Sequence, residues 1–460
     1  MRKRLMTTVS NRVKKLIVAI NNIEQKKLFW LCFIILVFGY TLTLLEQKIA
    51  YNDLSFYKGS RSYSDIAENL VNKGKYSLYG SSPTAYRPPI YPSFLSLMMI
   101  LFKDNWRVAG VSCQYILGIL AGFLTLLLAK KFSKNNLVLL ITVGLLISNR
   151  FFMYEVFRLR ETTFYILFSL LFLYFVKTRS LSDSRIVLLA LFASLSYLTK
   201  PTGLVLFAMI FIYILKDLIK SRRFLYLRKL LFFSLITIIM ISPWYYYLHN
   251  NFDSIQFFPS STVGINLYKG NNENFFSYFP LVDVDYYSPL IKQFIRQKGI
   301  GIEQWPPEEQ FEHLVDLTLR KHAAKYILSN PISFILRSSA KFTALYSPIP
   351  IPLGGGKLIE VNNKIKIDRF HFRMSPTKLI GTLSCFFFIL GSLLLLLRNK
   401  KYILNNNMSY ILLYILLTTI IYVITFSETR FRLTLDPILI IMASIYWSDL
   451  LNSRFAQDKN

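Results

Sequence analysis

Long apolar runs, most of them bordered by short clusters of lysine and arginine, recur along this 460-residue chain. They fall at about 28–45, 108–129, 136–152, 162–177, 186–199, 202–217, 230–247, 378–397, 409–426 and 434–450. Each is near the ~20 residues that carry an α-helix across ~30 Å of hydrocarbon. The runs are continuous and do not alternate with period two, which disfavours a β-barrel. The pattern predicts an all-α polytopic membrane protein with about 10–11 spans.

One further run, Ile90–Phe102 in "YRPPIYPSFLSLMMILF", sets the count. If it does not cross, the basic loops "KKFSK", "KTRSLSDSR", "IKSRRFLYLRK" and "RNKK" and the C-terminal tail share one side. If it crosses, the first two of these move to the opposite side. The positive-inside tendency favours the first arrangement. The run is also short, since 13 residues rise only ~20 Å as a helix. It reads as an interfacial or re-entrant helix on the outer face, with the N-terminus in the cytoplasm behind an uncleaved anchor.

This orientation leaves two large outer segments, Glu46–Val108 and His249–Pro376. In the second, "PPEEQFEHLVDLTLRKHAAKYILS" has prolines at its start, acids in its first turn and basic residues later, the signs of an amphipathic helix. "NPISFILRSSAKFTALYS" predicts a second helix that begins at Pro331. The expected organisation is a cytoplasmic segment 1–27, a transmembrane module 28–247 with its first outer loop at 46–107, an outer region 248–376, and terminal spans with a short tail at 377–460.

Composition agrees: 53% of residues are hydrophobic and 16% aromatic, with a mean hydropathy of +0.39. The formal charge of +29 does not indicate nucleic-acid binding. Its lysines and arginines sit at the ends of apolar runs, beside anionic lipid, and not in a basic patch interleaved with stacking aromatics. Cys32, Cys113 and Cys385 all lie inside apolar runs, as packed thiols do. The four histidines are too scattered for a metal motif, and "LGGGK" at 353–357 lacks the spacing of a nucleotide loop.

Charged residues on the outer side are the more informative ones. "EVFRLRETTF" carries Glu155, Arg158, Arg160 and Glu161, and "FSETRFRLTLDP" carries Glu428, Arg430, Arg432 and Asp436. Lys200 lies in "LTKPTG", and Arg87 precedes the proline pair. Singly, such residues serve as snorkelling or salt-bridged helix ends. Together, Arg87, Arg158, Arg160, Lys200, Arg430 and Arg432 suit a phosphate at headgroup depth, where the planar arginine fork binds well. Asp53, Asp65 and Glu68 in the first outer loop are candidate carboxylates for accepting a hydroxyl proton. Asp65 and Glu68 equally fit the first turns of an amphipathic helix.

The segments "YSDIAENLVNKGKYSL", "YRPPIYPSFLSLMMILF", "FRLRETTFYILFSLLF", "SLSYLTKPTGLVLF", "SPWYYYLHNNFDSIQFFPSSTVGINLYKGNNENFF", "AAKYILSNPISFILRSSAKF" and "SETRFRLTLDPILIIMAS" occur in the order of a known family. The chain resembles the GT-C glycosyltransferases of the protein O-mannosyltransferase and aminoarabinose transferase group, a glycosyltransferase family 39-like set, over roughly Tyr51–Ser448. The resemblance implies a GT-C helix bundle with juxtamembrane helices. It implies an inverting transfer of a sugar from a polyprenyl-phosphate donor to an extracytoplasmic lipid, glycan or protein, at the plasma (inner) membrane. It places Arg87, Lys200 and Arg430 at basic positions of the family and Glu161 at that of its second-loop acid.

The family's Asp four residues before the tyrosine matched by Tyr63 is absent, because that position is Gly59. Asp65 or Asp53 is expected in its place as base, with Glu161 orienting a group or binding a divalent cation. No other cofactor is implied. A polysaccharide polymerase or ligase using a lipid-diphosphate donor is one alternative, and a lipid or sugar transporter another.

Overall fold

The computed structural model describes residues 14–51, 61–78, 82–176, 182–221, 224–252, 258–284, 288–298, 311–353, 357–362, 364–368, 370–372, 374–398 and 408–455. Each of the ten apolar runs is mostly helix in its described part. The first is α1 (Gln25–Tyr51), followed by the amphipathic α2 (Arg61–Lys73) and by α3 (Ile90–Phe102). Then come α4 (Trp106–Phe132), α5 (Asn136–Ser148), α6 (Arg150–Glu155), α7 (Thr162–Phe175), α8 (Asp183–Thr199), α9 (Leu204–Ser221) and α10 (Phe224–Asn251). The outer region holds α11 (Val263–Gly270), α12 (Phe275–Tyr278), α13 (Pro289–Gln297), α14 (Phe311–Ser329) and α15 (Pro331–Leu345). The chain ends with α16 (Pro376–Arg398), α17 (Ser409–Ile424), α18 (Thr429–Arg432) and α19 (Asp436–Phe455).

Among the described residues, five helical stretches are long and apolar enough to cross a membrane: Gln25–Ile49, Ile90–Phe132, Pro201–Lys220, Phe224–Asn251 and Pro376–Arg398. α5, α7 and α17 are shorter apolar helices beside them. The run 136–152 is interrupted at Asn149, whose side chain accepts from the Phe152 N–H and so starts α6.

The stretch Ile90–Phe132 is not one rod. α3 ends at Lys103, whose φ is 45°. A 3₁₀ turn, Lys103–Asn105, then leads into α4. α3 packs back on α4 and on α2, burying Tyr91, Leu95, Met98 and Met99. Leu97, Ile100, Leu101 and Phe102 stay exposed. By itself α3 has the 13 residues that fall short of a span.

α19 is the central helix. Every residue from Phe431 to Tyr446 is buried, the burial expected of a helix that is apolar all round. It packs most extensively on α16 and also on α5 and α4. Arg432 and Asp436, both fully buried, are paired at its entrance with Nε to Oδ1 at 2.8 Å. Asn149 Nδ2 donates to the other carboxylate oxygen at 2.8 Å, and Arg432 also reaches Cys385 Sγ and the Ser347 carbonyl. This polar knot ties the α5–α6 break, α16 and α19 together. Breaking either partner would leave an uncompensated buried charge.

The outer region has its own core of Tyr268, Phe275, Tyr278, Phe294, Val315 and Leu345, which extends to Tyr422 and Phe431 of the bundle. α14 and α15 form as the sequence predicts, with Pro331 at the start of the second. The expected starting prolines of the first, Pro306 and Pro307, lie outside the described residues. A small antiparallel hairpin, β1 (Lys357–Val361) and β2 (Lys364–Asp368), pairs Lys357 with Asp368 and Val361 with Lys364. It is the one sheet among the described residues.

A non-crossing α3, as the sequence predicts, has a direct consequence. A cysteine introduced at Glu68, exposed on α2, labels from outside sealed cells, whereas one at Lys131 labels only after permeabilisation. Labelling of Lys131 from outside would instead make α3 a span.

Candidate active site

Where the ends of several helices meet the outer region, they enclose a cavity of about 590 Å³. Five cations line it (Arg87, Arg160, Lys200, Lys269 and Arg430) and two carboxylates, Glu161 and Asp283. Leu204, Ile421 and Ile424, at the ends of α9 and α17, add an apolar wall.

Each charged side chain is held by its own local structure. Arg87 precedes Pro88 and Pro89, which bias the backbone before them toward extended conformations. The Tyr76 hydroxyl donates to the carbonyls of Arg87 and Pro88 at 2.9 and 3.1 Å. Ser260 Oγ donates to the Tyr86 carbonyl at 2.8 Å, tying this stretch to the outer region. The Arg87 guanidinium lies 4.5 Å from the Tyr63 ring centre and 4.6 Å from that of Tyr86. Its Nε donates to Ser62 Oγ at 2.9 Å.

Glu161 and Arg160 come from the turn between α6 and α7, which a side chain of α4 fixes. Gln114 is fully buried, and its Nε2 donates to the carbonyls of Val156 and Arg158 at 3.0 and 2.7 Å. Its Oε1 accepts from the Tyr91 hydroxyl of α3. The short helix α3 therefore braces the turn that carries Glu161.

Lys200 sits in extended conformation between α8 and the 3₁₀ turn Pro201–Gly203. Its Nζ is 4.6 Å from the Phe431 ring centre, with Tyr422 and Tyr165 at 5.7 and 5.8 Å. Arg430 on α18 pairs with the buried Glu428 at 2.5 Å. Lys269 Nζ is 3.1 Å from Asp283 Oδ1 and 4.1 Å from the Phe426 ring centre. At the end of α11, a Cβ at Gly270 would fall on the Thr425 carbonyl, so only glycine permits this approach. Lys341 of α15 donates to the same strip of backbone, at 3.1 Å to Ile424 O and 3.3 Å to Thr425 O.

Electrostatics single out Glu161. Burial alone would raise its pKa, but Lys200, Arg87 and Arg430 outweigh burial, and Tyr63 donates a hydrogen bond. Together they bring it from 4.5 down to about 2. Arg430 stays charged despite burial because Glu428, Glu155, Asp283 and Glu161 surround it. Arg160 is the opposite case. Burial and the neighbouring Arg430 cation both weigh against its charge, and its buried Nε has no hydrogen-bond partner. The cavity thus holds more positive charge than its own carboxylates balance.

Of the sequence candidates, Arg87, Arg160, Glu161, Lys200, Arg430 and Tyr63 line this one cavity. Arg158 does not. It is exposed and lies 3.8 Å from Glu155 at the surface of the turn. Arg432 is spent in the buried knot with Asp436. Asp65 lies on α2 beside Glu68, Arg61 and Ser64, away from the cavity lining. Burial and then Glu68 raise its pKa. Asp53 and Gly59 fall outside the described residues. Lys269, Asp283 and Glu428 went unassigned in the sequence, although Lys269 lies within the quoted "GINLYKGNNENFF" segment. Among the described residues, no three His, Cys, Asp or Glu side chains gather as a metal site.

Fold and site together define a multi-pass helical membrane protein with a cation-lined cavity where its helices meet the segment that holds α11–α15. No protein-family model and no curated protein sequence matches the chain. Among solved structures it is similar to the archaeal oligosaccharyltransferase AglB from Archaeoglobus fulgidus, in complex with an inhibitory peptide and a dolichol-phosphate. The identity there is 13% and the TM-score 0.46, over 93% of this chain and 50% of that one. It is also similar to ArnT from Cupriavidus metallidurans in the apo state, at 12% identity and TM-score 0.32, over 83% and 71% of the two chains. For ArnT bound to undecaprenyl phosphate the values are 13% and 0.34, over 84% and 73%. The chain spans about half the length of the AglB chain.

The depressed pKa of Glu161 makes its ionised form a source of stability above the ordinary carboxylate range. That stability is lost as pH falls from about 4.5 toward 2. In detergent, Glu161→Gln should flatten the fall in Tm across this window. Lys200→Met, which removes the strongest cationic partner, should move the fall to higher pH. Parallel wild-type and Glu161→Gln curves would contradict the assignment.

Proposed function

We propose that the chain is a GT-C-type glycosyltransferase that moves a sugar from a polyprenyl-phosphate donor to an acceptor outside the cytoplasm, with inversion at the anomeric carbon. The observation that carries this reading is the cavity's composition, five cations against two carboxylates beside an apolar wall at the helix ends. An anionic headgroup supplies the missing negative charge, while Leu204 and Ile424, both exposed, receive the start of an apolar tail. The volume falls within the ~300–1,000 Å³ common for small-ligand sites.

In such a transfer the acceptor oxygen attacks C1 as the bond from C1 to the phosphate oxygen breaks. Negative charge grows on the departing phosphate, and preorganised cations lower the barrier by meeting it. Arg87, Lys200 and Arg430 are preorganised by Glu161, whose carboxylate holds them against their mutual repulsion. Arg160, which lacks a full complement of partners, is the cation most available to the phosphate. A carboxylate takes the acceptor proton. Because the basic loops share one side, the cavity opens on the opposite, extracytoplasmic face of the plasma membrane.

A lipid-diphosphate donor, as a polymerase or ligase would use, also fits the excess of positive charge, so the donor panel must contain both. Purified protein should release polyprenyl phosphate from a polyprenyl-phosphate sugar. Arg430→Ala should lose about 100-fold in turnover while remaining monodisperse. Turnover of the diphosphate donor alone would move the assignment to the polymerase or ligase class, and full activity of Arg430→Ala would remove the cavity as the site.

A further inference from the structure

Resting on that reading, the cavity geometry points to Asp283 as the base that takes the proton of the acceptor hydroxyl, with Lys269 holding it in place. The two carboxylates of the cavity differ in what surrounds them. Glu161 is enclosed by three cations and a tyrosine donor, so its oxygens are committed to holding the cage. Asp283 lies on the outer-region side of the cavity, between the core that ends at Phe279–Val282 and Val284. Its side chain retains 41% exposure, whereas that of Lys269 retains 7%.

The contacts to Asp283 fall on one oxygen. Oδ1 accepts from Lys269 Nζ at 3.1 Å and from the Val284 N–H at 2.8 Å. Among the described residues no hydrogen bond reaches Oδ2. The charged and titratable groups that face it are Lys269 on α11, Tyr278 on α12 and Arg430 on α18. Arg430 is also an electrostatic neighbour of Glu161, so Asp283 and the proposed phosphate cage share this cation in one cavity. A donor whose phosphate occupies the cage would have the acceptor arrive on the Asp283 side.

In the step, the acceptor oxygen forms a bond to C1 and the bond from C1 to the phosphate oxygen breaks, its electron pair leaving with the polyprenyl phosphate. The acceptor proton passes to Oδ2 of Asp283. The hydroxyl becomes strongly acidic as its oxygen bonds to C1, so a carboxylate held ionised by Lys269 is basic enough to take the proton late in the step. No oxidant, reductant or further reactant is needed.

The test compares wild type, Asp283→Asn and Asp283→Glu in membrane vesicles that carry the native acceptor. Polyprenyl-phosphate sugars are supplied, and polyprenyl phosphate release is read across pH. Binding of undecaprenyl phosphate by the purified proteins is measured alongside. Asp283→Asn should keep that binding within about threefold, lose about 100-fold in turnover and lose the acid limb of the pH profile. Asp283→Glu should restore part of the rate and that limb. Turnover of Asp283→Asn within threefold of wild type would overturn the proposal. So would joint loss of binding and turnover, which would make Asp283 part of the pocket's structure. Failure of wild type on every donor would refute the glycosyl-transfer reading itself, whereas an active wild type with an unaffected Asp283→Asn refutes only the base.

Discussion

An ionised Glu161 among Lys200, Arg87 and Arg430 is the interaction on which the rest of the site depends. These four residues come from four separate parts of the chain: the stretch before α3, the α6–α7 turn, the α8–α9 connection and α18. Like charges this close repel one another, and burial penalises each of them. Glu161, given a hydrogen bond by Tyr63, and Glu428, paired with Arg430, make the convergence tolerable. The residual positive charge is then available for a ligand.

The architecture around this point serves to keep it in place. Gln114 of α4 and Tyr91 of α3 hold the turn that carries Glu161. Tyr76 and Ser260 pin the backbone on either side of Arg87. The buried knot of Arg432, Asp436 and Asn149 fixes the start of α19, and so the position of Arg430, two residues before Arg432. The outer region closes the cavity through Lys269 and Asp283. It docks where Gly270 meets Thr425 and where Tyr422 stacks on Phe431 at 4.8 Å.

Much of this was legible in the sequence, and for identifiable reasons. Continuous apolar runs ended by basic clusters name helices, and ten such runs are largely helical here. The brevity of Ile90–Phe102 and the charge of the neighbouring loops already set α3 apart, and the break at Lys103 agrees. Cations at outer helix ends were conspicuous because they oppose the usual charge asymmetry, and Arg87, Arg160, Lys200 and Arg430 do converge. Arg158 and Arg432 share the same local pattern with Arg160 and Arg430, yet the α6–α7 turn leaves Arg158 at the surface and the start of α19 takes Arg432 into the core. Two-residue spacing alone could not separate them. Asp283 and Lys269 were not legible because their pairing depends on how the outer region folds, and nothing local marks them. The hairpin at Lys357–Asp368 has its signal in the alternation of "KLIEVNNKIKID" about two asparagines, overshadowed by the helical character of the rest.

The central claim is that the unbalanced cations of this cavity receive a lipid phosphate. Its most direct test is equilibrium binding of undecaprenyl phosphate against undecaprenol, to the purified protein in detergent, at low and high salt. The account predicts at least a tenfold preference for the phosphate, reduced by Arg430→Ala and only weakly screened by salt because the charges are enclosed. Equal binding of the two lipids, or a preference that Arg430→Ala leaves intact, would contradict it.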